Sequence, residues 1–157
     1  MSIRNVFRVF FFFFLLTAGQ QVFSQCQGYA KSKCLPKLKP YINGGQLYNT
    51  TLLSNDHTEL TMTFYSGQNY RVLVCAQKDL GEISFKLKDS DNNVIFSNKG
   101  YGNFWDFNVQ TTQELTIEAV TPPGDPSATL DKSGCVAIIV GFNAGLTVAN
   151  SNSQPGK

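Results

Sequence analysis

Four cysteines are the residues of this sequence whose type and spacing suit chemistry best: Cys26, Cys34, Cys75 and Cys135. A zinc site would need close pairs such as C-x₂₋₄-C, but the sequence has no such pair and only one histidine, His57. In an exported chain, an even number of cysteines predicts disulfides, and four cysteines allow three pairings. We expect Cys26–Cys34, which are close in sequence, and Cys75–Cys135, which fall in two apolar strands.

The sequence offers no complete set of catalytic groups for hydrolysis. A serine or cysteine nucleophile needs a positioned base, but His57 lies in the turn-like stretch SNDHTE and no G-x-S-x-G occurs. Glycoside hydrolysis needs a carboxylic acid whose pKa is raised by an apolar setting. Asp106 lies between two aromatic residues, Trp105 and Phe107, yet strand alternation turns it to the opposite face. We therefore predict no enzymatic activity and no cofactor.

Asp89, Asp91 and Asn93 place oxygen ligands at alternating positions, as the start of a calcium loop does. The later glycine and the distal bidentate glutamate of such a loop are absent. A hairpin turn explains the same residues through hydrogen bonds from backbone to side chain. We predict a turn without a metal, with calcium as the weaker alternative.

Two surfaces could bind a ligand. The stretch KGYGNFWDF (residues 99–107) contains Tyr101, Phe104 and Trp105, and exposed aromatic side chains suit sugar stacking or a protein hot spot. However, Trp105 and Phe107 have the spacing of inward core residues. The stretch QGYAKSKCLPKLKPY (residues 27–41) is basic and could contact an anionic surface such as lipid headgroups or acidic polysaccharide. The simpler interpretation is a solvated arm with exposed Lys31, Lys33, Lys37 and Lys39.

The first residues have the pattern of a signal peptide. Arg4 and Arg8 precede an apolar run over residues 9–18, which is about half of what a bilayer crossing needs. Val22 and Ser24 fit the −3 and −1 positions of ordinary cleavage after Ser24. A lipid anchor on the nearby cysteine is the alternative, but that cysteine follows Gln25, which is large and polar. We predict export to the periplasm, the outer surface or the extracellular space, with no transmembrane segment in the mature chain.

Cleavage removes the apparent basicity. Without Arg4 and Arg8, the 13 basic residues become 11 and equal the 11 acidic ones, so nucleic acid is not an expected partner. The predicted organisation is a signal peptide over residues 1–24, a basic disulfide-closed arm over 25–42, a β-sandwich domain over 43–148, and a disordered tail over 149–157.

Period-two patterns dominate the middle of the chain, and no window shows an apolar stripe at helical spacing. TELTMTF, ISFKLK and LTIEAV alternate, whereas YRVLVC and CVAIIVGF are apolar on both faces and suit central strands. With intervening turns, these patterns predict an all-β, disulfide-stapled antiparallel sandwich of jelly-roll type. The expected strands cover residues 46–53, 58–64, 70–75, 83–88, 94–96, 104–109, 115–120 and 135–142.

Three segments resemble, in their order, the bacterial pre-peptidase C-terminal domain: FYSGQNYRVLV (residues 64–74), ISFKLKDSDNNVIF (83–96) and LTIEAV (115–120). The resemblance covers about residues 44–142. It implies a small jelly-roll-like sandwich that serves as an accessory domain of secreted enzymes, without catalytic residues. The four cysteines depart from the family pattern.

These observations predict a non-catalytic accessory or binding domain of the bacterial envelope or extracellular space, docking on a protein partner. The alternative is a carbohydrate-binding module that uses Tyr101, Phe104 and Trp105 on a surface glycan. An uncharacterised hydrolase is the third hypothesis.

Overall fold

The computed structural model describes residues 24–99, 102–127 and 130–143. The predicted tail, Tyr101 and all but the last residue of the predicted signal peptide lie outside these ranges. Within them, no helix is both long and apolar enough to cross a bilayer.

Two four-stranded antiparallel sheets pack face to face and confirm the predicted all-β sandwich. Sheet A has the order β1-β8-β3-β6 and sheet B the order β2-β7-β4-β5. A 3₁₀ turn over Lys78–Leu80 lies between β3 and β4. The strands are β1 (Ile42–Leu53), β2 (His57–Phe64), β3 (Asn69–Ala76), β4 (Ser84–Lys88), β5 (Val94–Ser97), β6 (Phe104–Asn108), β7 (Gln113–Val120) and β8 (Ser133–Asn143).

The main core fills the space between the sheets. Sheet B contributes alternate residues of its strands, such as Leu115 and Ile117 on β7, because only one of its faces is apolar. Sheet A contributes Val72 and Val74 of β3 in the same way. The intervening Leu73 is also fully buried, although it points away from sheet B. Sheet A is therefore apolar on both faces and needs a second cover.

The N-terminal arm, defined as residues 24–41, provides that cover. It forms helix α1 (Ser24–Tyr29), a π turn (Ala30–Cys34) and a 3₁₀ turn (Leu35–Leu38). Every fourth residue is buried, namely Cys26, Ala30, Cys34 and Leu38. In a regular α-helix a four-residue spacing drifts around the axis, and the wider π turn reduces this drift. The arm therefore packs on sheet A rather than extending as a solvated segment.

The disulfide pairing differs from the predicted one. Cys26 bonds Cys135, with the two Cα atoms 5.1 Å apart, so the predicted Cys26–Cys34 and Cys75–Cys135 pairs are wrong. Cys26 and Cys34 are eight residues apart along the helical arm, which separates them by about 12 Å. Cys75 lies opposite Ala137 on β8, so Cys135 is its diagonal neighbour at about 7 Å, beyond the Cβ separation of a disulfide.

Arg71 of β3 fastens the end of the arm. Its guanidinium donates two hydrogen bonds of 2.7 Å to the Asp106 carboxylate and a third, of 2.9 Å, to the Lys39 carbonyl. The same group lies 4.7 Å from the ring centre of Tyr41 and 4.2 Å from that of Phe104. The Asp106 hydrogen bonds raise the pKa of Arg71 above its ordinary value, so the side chain remains a cation.

Candidate functional site

A cleft of about 300 Å³, lined mainly by apolar side chains, opens on one side of the sandwich, where β1 and β2 are the edge strands of different sheets. We call it the β1/β2 cleft. Sheet B contributes Leu60 and Met62 from the inner face of β2, and sheet A contributes Ile138 and Val140 from β8. The remaining lining residues are Gly44, Thr63 and Tyr65.

The cleft opens because β1 changes course. The pairing of β1 with β8 shifts between Asn43 and Leu47, and Gly45 within this irregularity has a φ of +93°. Glycine accepts this left-handed angle without steric cost. Farther along β1, the Tyr48 hydroxyl bonds the Thr58 hydroxyl at 2.7 Å and joins the two edge strands. The opening is therefore confined to the end of the sandwich where β1 begins.

Large apolar side chains surround this mouth. Ile42 of β1 lies opposite Phe142 of β8, in register with the inner face, yet the two are 63% and 37% exposed. Tyr65, at the end of β2, is 63% exposed. A methyl group placed on Gly44 would lie 3.9 Å from the Phe142 ring, so the cleft and these side chains form one apolar surface. The surface can take up an apolar side chain, and the described residues that line it include no carboxylate or amine for acid–base chemistry.

The opposite side of the sandwich, between β5 and β6, is filled by aromatic rings. Phe96 stacks on Trp105 and Trp105 stacks on Phe107, with both pairs of ring centres 4.3 Å apart. The Trp105 Nε1 is buried there and makes no hydrogen bond. Phe104 points to the other face, where Arg71 lies over it.

These positions bear on the predicted aromatic contact. Trp105 is half-buried between the Phe96 and Phe107 rings, and Phe104 is half-buried with Arg71 over its ring, whereas a sugar-stacking platform needs an open ring face. Tyr101 lies outside the described residues. No observation within the described residues favours the carbohydrate alternative.

A second cleft of about 310 Å³ borders the aromatic side and is lined by Val74, Ala76, Gly81, Glu82, Ile83, Gly102 and Asn103. Buried Asn98 lies behind it: its carbonyl accepts from the Phe85 N–H, and its amide donates to the Ile83 and Gly102 carbonyls. The polar groups of Asn98 are therefore used to hold the chain between β5 and β6 in place. Among the described lining residues, Glu82 alone is ionisable.

The calcium candidate forms a hairpin turn. One Asp89 oxygen accepts from the backbone N–H groups of Asp91 and Asn93, and the other accepts from the Asn93 side-chain amide. These hydrogen bonds lower the pKa of Asp89. In the residues that the structure describes, no group of three or more His, Cys, Asp or Glu side chains is placed to hold a metal ion.

The remaining candidates lie apart from one another. His57 is exposed at the start of β2, and Asp106 is engaged by Arg71. The residues of the predicted anionic-surface contact are all exposed on the arm: Lys31, Lys33, Lys37 and Lys39. The structure brings none of these groups to the β1/β2 cleft.

Sequence reasoning missed the cleft residues Leu60, Met62 and Tyr65. Alternation in TELTMTF correctly turns Leu60 and Met62 inward, but it does not indicate that β2 becomes an edge strand beside β1. The Gly44–Gly45 pair was the available signal, because adjacent glycines within a strand pattern often indicate a bulge.

Comparisons with known proteins show no family for this chain. No family model matches the chain, and no curated protein does. Among solved structures, it is similar to the crystal structure of Aeromonas hydrophila PliG, a periplasmic lysozyme inhibitor of g-type lysozyme. The match has 14% sequence identity and a TM-score of 0.47, and covers 62% of this chain and 85% of that chain. Similarity at this level assigns no function, and the resemblance to the pre-peptidase C-terminal domain stays a prediction.

Proposed function

We propose that this chain is an exported, non-catalytic binding protein that docks on a protein partner through the β1/β2 cleft. The observation that carries the proposal is the open apolar cleft with Ile42, Tyr65 and Phe142 exposed at its mouth. Exposed contiguous apolar surface on a soluble domain is typical of interaction sites. The disulfide between Cys26 and Cys135 supports export, because such bonds persist in oxidising compartments.

The proposed occupant is an extended segment of the partner that carries an aliphatic or aromatic side chain. β2 pairs with β7 along one edge, and its other edge borders the cleft. A strand added there would gain main-chain hydrogen bonds, while alternate side chains would point into the cleft between Leu60 and Met62. In this kind of strand addition, the main-chain hydrogen bonds give an affinity that depends little on the partner's sequence. The pocket gives specificity, because it selects the side chain that is inserted.

A photo-crosslinking experiment tests this site. Benzoylphenylalanine replaces Tyr65 in the tagged mature chain, or Val94 in the control, since Val94 is 53% exposed on the edge strand of the opposite side. Each protein is irradiated with the envelope fraction of the source cells. We expect a discrete protein adduct from position 65 and none from position 94. An excess of wild-type chain without benzoylphenylalanine should reduce formation of this adduct by competing for the partner, and an excess of the Ile42→Lys chain should not.

Measurement of Kd with the purified partner then shows how much each residue contributes to binding. We expect Ile42→Lys to raise Kd at least tenfold, because it places a charge at the rim of an apolar contact, and Val94→Lys to change it less than twofold. Equal crosslinking from both positions would refute the assigned surface. An adduct with a second copy of the chain, or with a small molecule, would refute a protein partner of the stated kind.

A further inference from the structure

Two further cysteines meet beneath the arm. Cys34 lies on the arm and Cys75 on β3, and both thiols are buried, with exposed fractions of 0% and 3%. Both belong to one buried cluster that joins the arm to sheet A. The interaction between the two thiols lowers the pKa of Cys34, and together with burial it raises the pKa of Cys75. A hydrogen bond between thiols is weak, so it does not by itself explain why two cysteines occupy this position.

The pair lies beside the existing disulfide in a regular arrangement. Cys26 and Cys34 lie on the buried side of the arm, two helical turns apart. Each faces a cysteine on a different strand of sheet A, and the two strands are neighbours. Cys26 faces Cys135 of β8, and Cys34 faces Cys75 of β3. A bond between Cys34 and Cys75 would therefore link the arm to the adjacent strand.

The surroundings of the pair shield it from solvent. The Tyr29 hydroxyl donates to the Ala76 carbonyl and covers one side, and burial raises the pKa of Tyr29 to about 12. Leu38 and Ile139 belong to the same buried cluster. An oxidant can therefore reach these thiols only while the arm is undocked from the sheet.

We propose that Cys34 and Cys75 form a second disulfide in the exported protein. While the arm is undocked, the Cys34 thiolate attacks one sulfur of a donor disulfide, such as that of an oxidising dithiol enzyme or of oxidised glutathione, and releases the first donor thiol. Docking then brings the Cys75 thiolate to the Cys34 sulfur, where it displaces the second donor thiol. The chain loses two protons and two electrons, which reduce the donor disulfide to two thiols.

Peptide mapping of the exported wild-type protein tests the bond. The protein is denatured in the presence of an alkylating agent without reductant, then digested with trypsin. The basic residues of the sequence place each cysteine on its own peptide: residues 25–31, 34–37, 72–78 and 133–157. We expect the 34–37 peptide linked to the 72–78 peptide, and the 25–31 peptide linked to the 133–157 peptide. Reduction before alkylation should abolish both linked species.

The outcome does not depend on any variant folding. Recovery of the 34–37 and 72–78 peptides in alkylated form would overturn the proposal, whatever the state of Cys26 and Cys135. A link from either peptide to a different peptide would overturn it as well. As a matched control, the Cys75→Ser protein should show an alkylated 34–37 peptide and retain the link between 25–31 and 133–157. The partner-docking proposal is unaffected by a negative result, because the β1/β2 cleft contains neither cysteine.

Discussion

The two outer faces of the sandwich differ sharply. The outer face of sheet A carries Leu73 and Ile139, both fully buried beneath the helical arm. The outer face of sheet B has no such cover in the described residues, and there Thr61 bonds Thr116 while Lys88 bridges to Glu118. One face is a second hydrophobic core and the other is a solvated polar surface.

The difference arises from strand composition. Alternating strands such as TELTMTF and LTIEAV bury one face and leave the other polar, whereas YRVLVC and CVAIIVGF are apolar on both. An apolar outer face costs free energy in water unless another segment covers it. The arm meets this need for sheet A, and we expect substitutions on the covered face to affect stability far more than those on the bare face.

Loss of the disulfide between Cys26 and Cys135 should give the largest effect. It closes a loop of 109 residues, for which the chain-entropy model gives a stabilisation of about 4.8 kcal/mol as an upper bound. We expect the Cys26→Ser/Cys135→Ser protein to lose several kcal/mol in urea unfolding, with faster hydrogen exchange in the arm than in sheet B. The matched control, Thr61→Ala/Thr116→Ala on the bare face, should lose less than about 1 kcal/mol. Equal losses would contradict the comparison.

Substitutions at Leu38 and Gly141 should have the second largest effect on the free energy of unfolding. A methyl group on Gly141 would lie 2.9 Å from three Leu38 carbon atoms, so the arm has little room above β8. We expect Leu38→Ala to cost about 2–3 kcal/mol and Gly141→Ala about 1–3 kcal/mol in unfolding free energy. In the Leu38→Ala background, Gly141→Ala should be nearly neutral, because the new methyl group fills the cavity. Additive losses in this double-mutant cycle would show that the two residues do not pack together.

Much of the fold could be predicted because it is encoded locally. All eight expected strands occur, and strand ends shift by a few residues, as for β1, which begins at Ile42 rather than at residue 46. Alternation also correctly turned Asp106 away from Trp105 and Phe107. Period-two patterns succeed here because each strand's two faces meet different surroundings.

The features that were missed depend on tertiary arrangement. The cysteine pairing follows from which strands become neighbours, and the sequence alone does not indicate that β3 lies beside β8. The packing of the predicted arm on sheet A was missed because its apolar residues recur every fourth position through a π turn, which is not the usual helical pattern. The β1/β2 cleft depends on two consecutive strands joining different sheets, so its residues resemble ordinary core residues in the sequence.

Replacing Arg71 by lysine should have an intermediate effect. Arg71 combines a two-bond contact to Asp106 with stacking between Tyr41 and Phe104, and an ammonium group cannot reproduce either the planar fork or the stacking. We expect Arg71→Lys to cost about 1–2 kcal/mol in urea unfolding. Lys88→Arg on the bare face keeps the charge of a surface ion pair and should change stability much less. A neutral Arg71→Lys substitution would mean that the end of the arm is held by apolar contacts alone.

The smallest effect should come from the bare face and should depend on pH. The hydrogen bond from Lys88 holds the pKa of Glu118 below its ordinary value. A carboxyl group whose pKa is lowered by folding adds stability above its unfolded pKa of about 4.3, and this is lost as the pH falls through the lowered value. Because surface ion pairs contribute little, Glu118→Gln should lower Tm by only about 1–2 °C at pH 7 and by nothing measurable at pH 2.5. Thermal scans between these pH values test this, and a Tm difference that persists undiminished at the acid end would mean that Glu118 acts by packing rather than by charge.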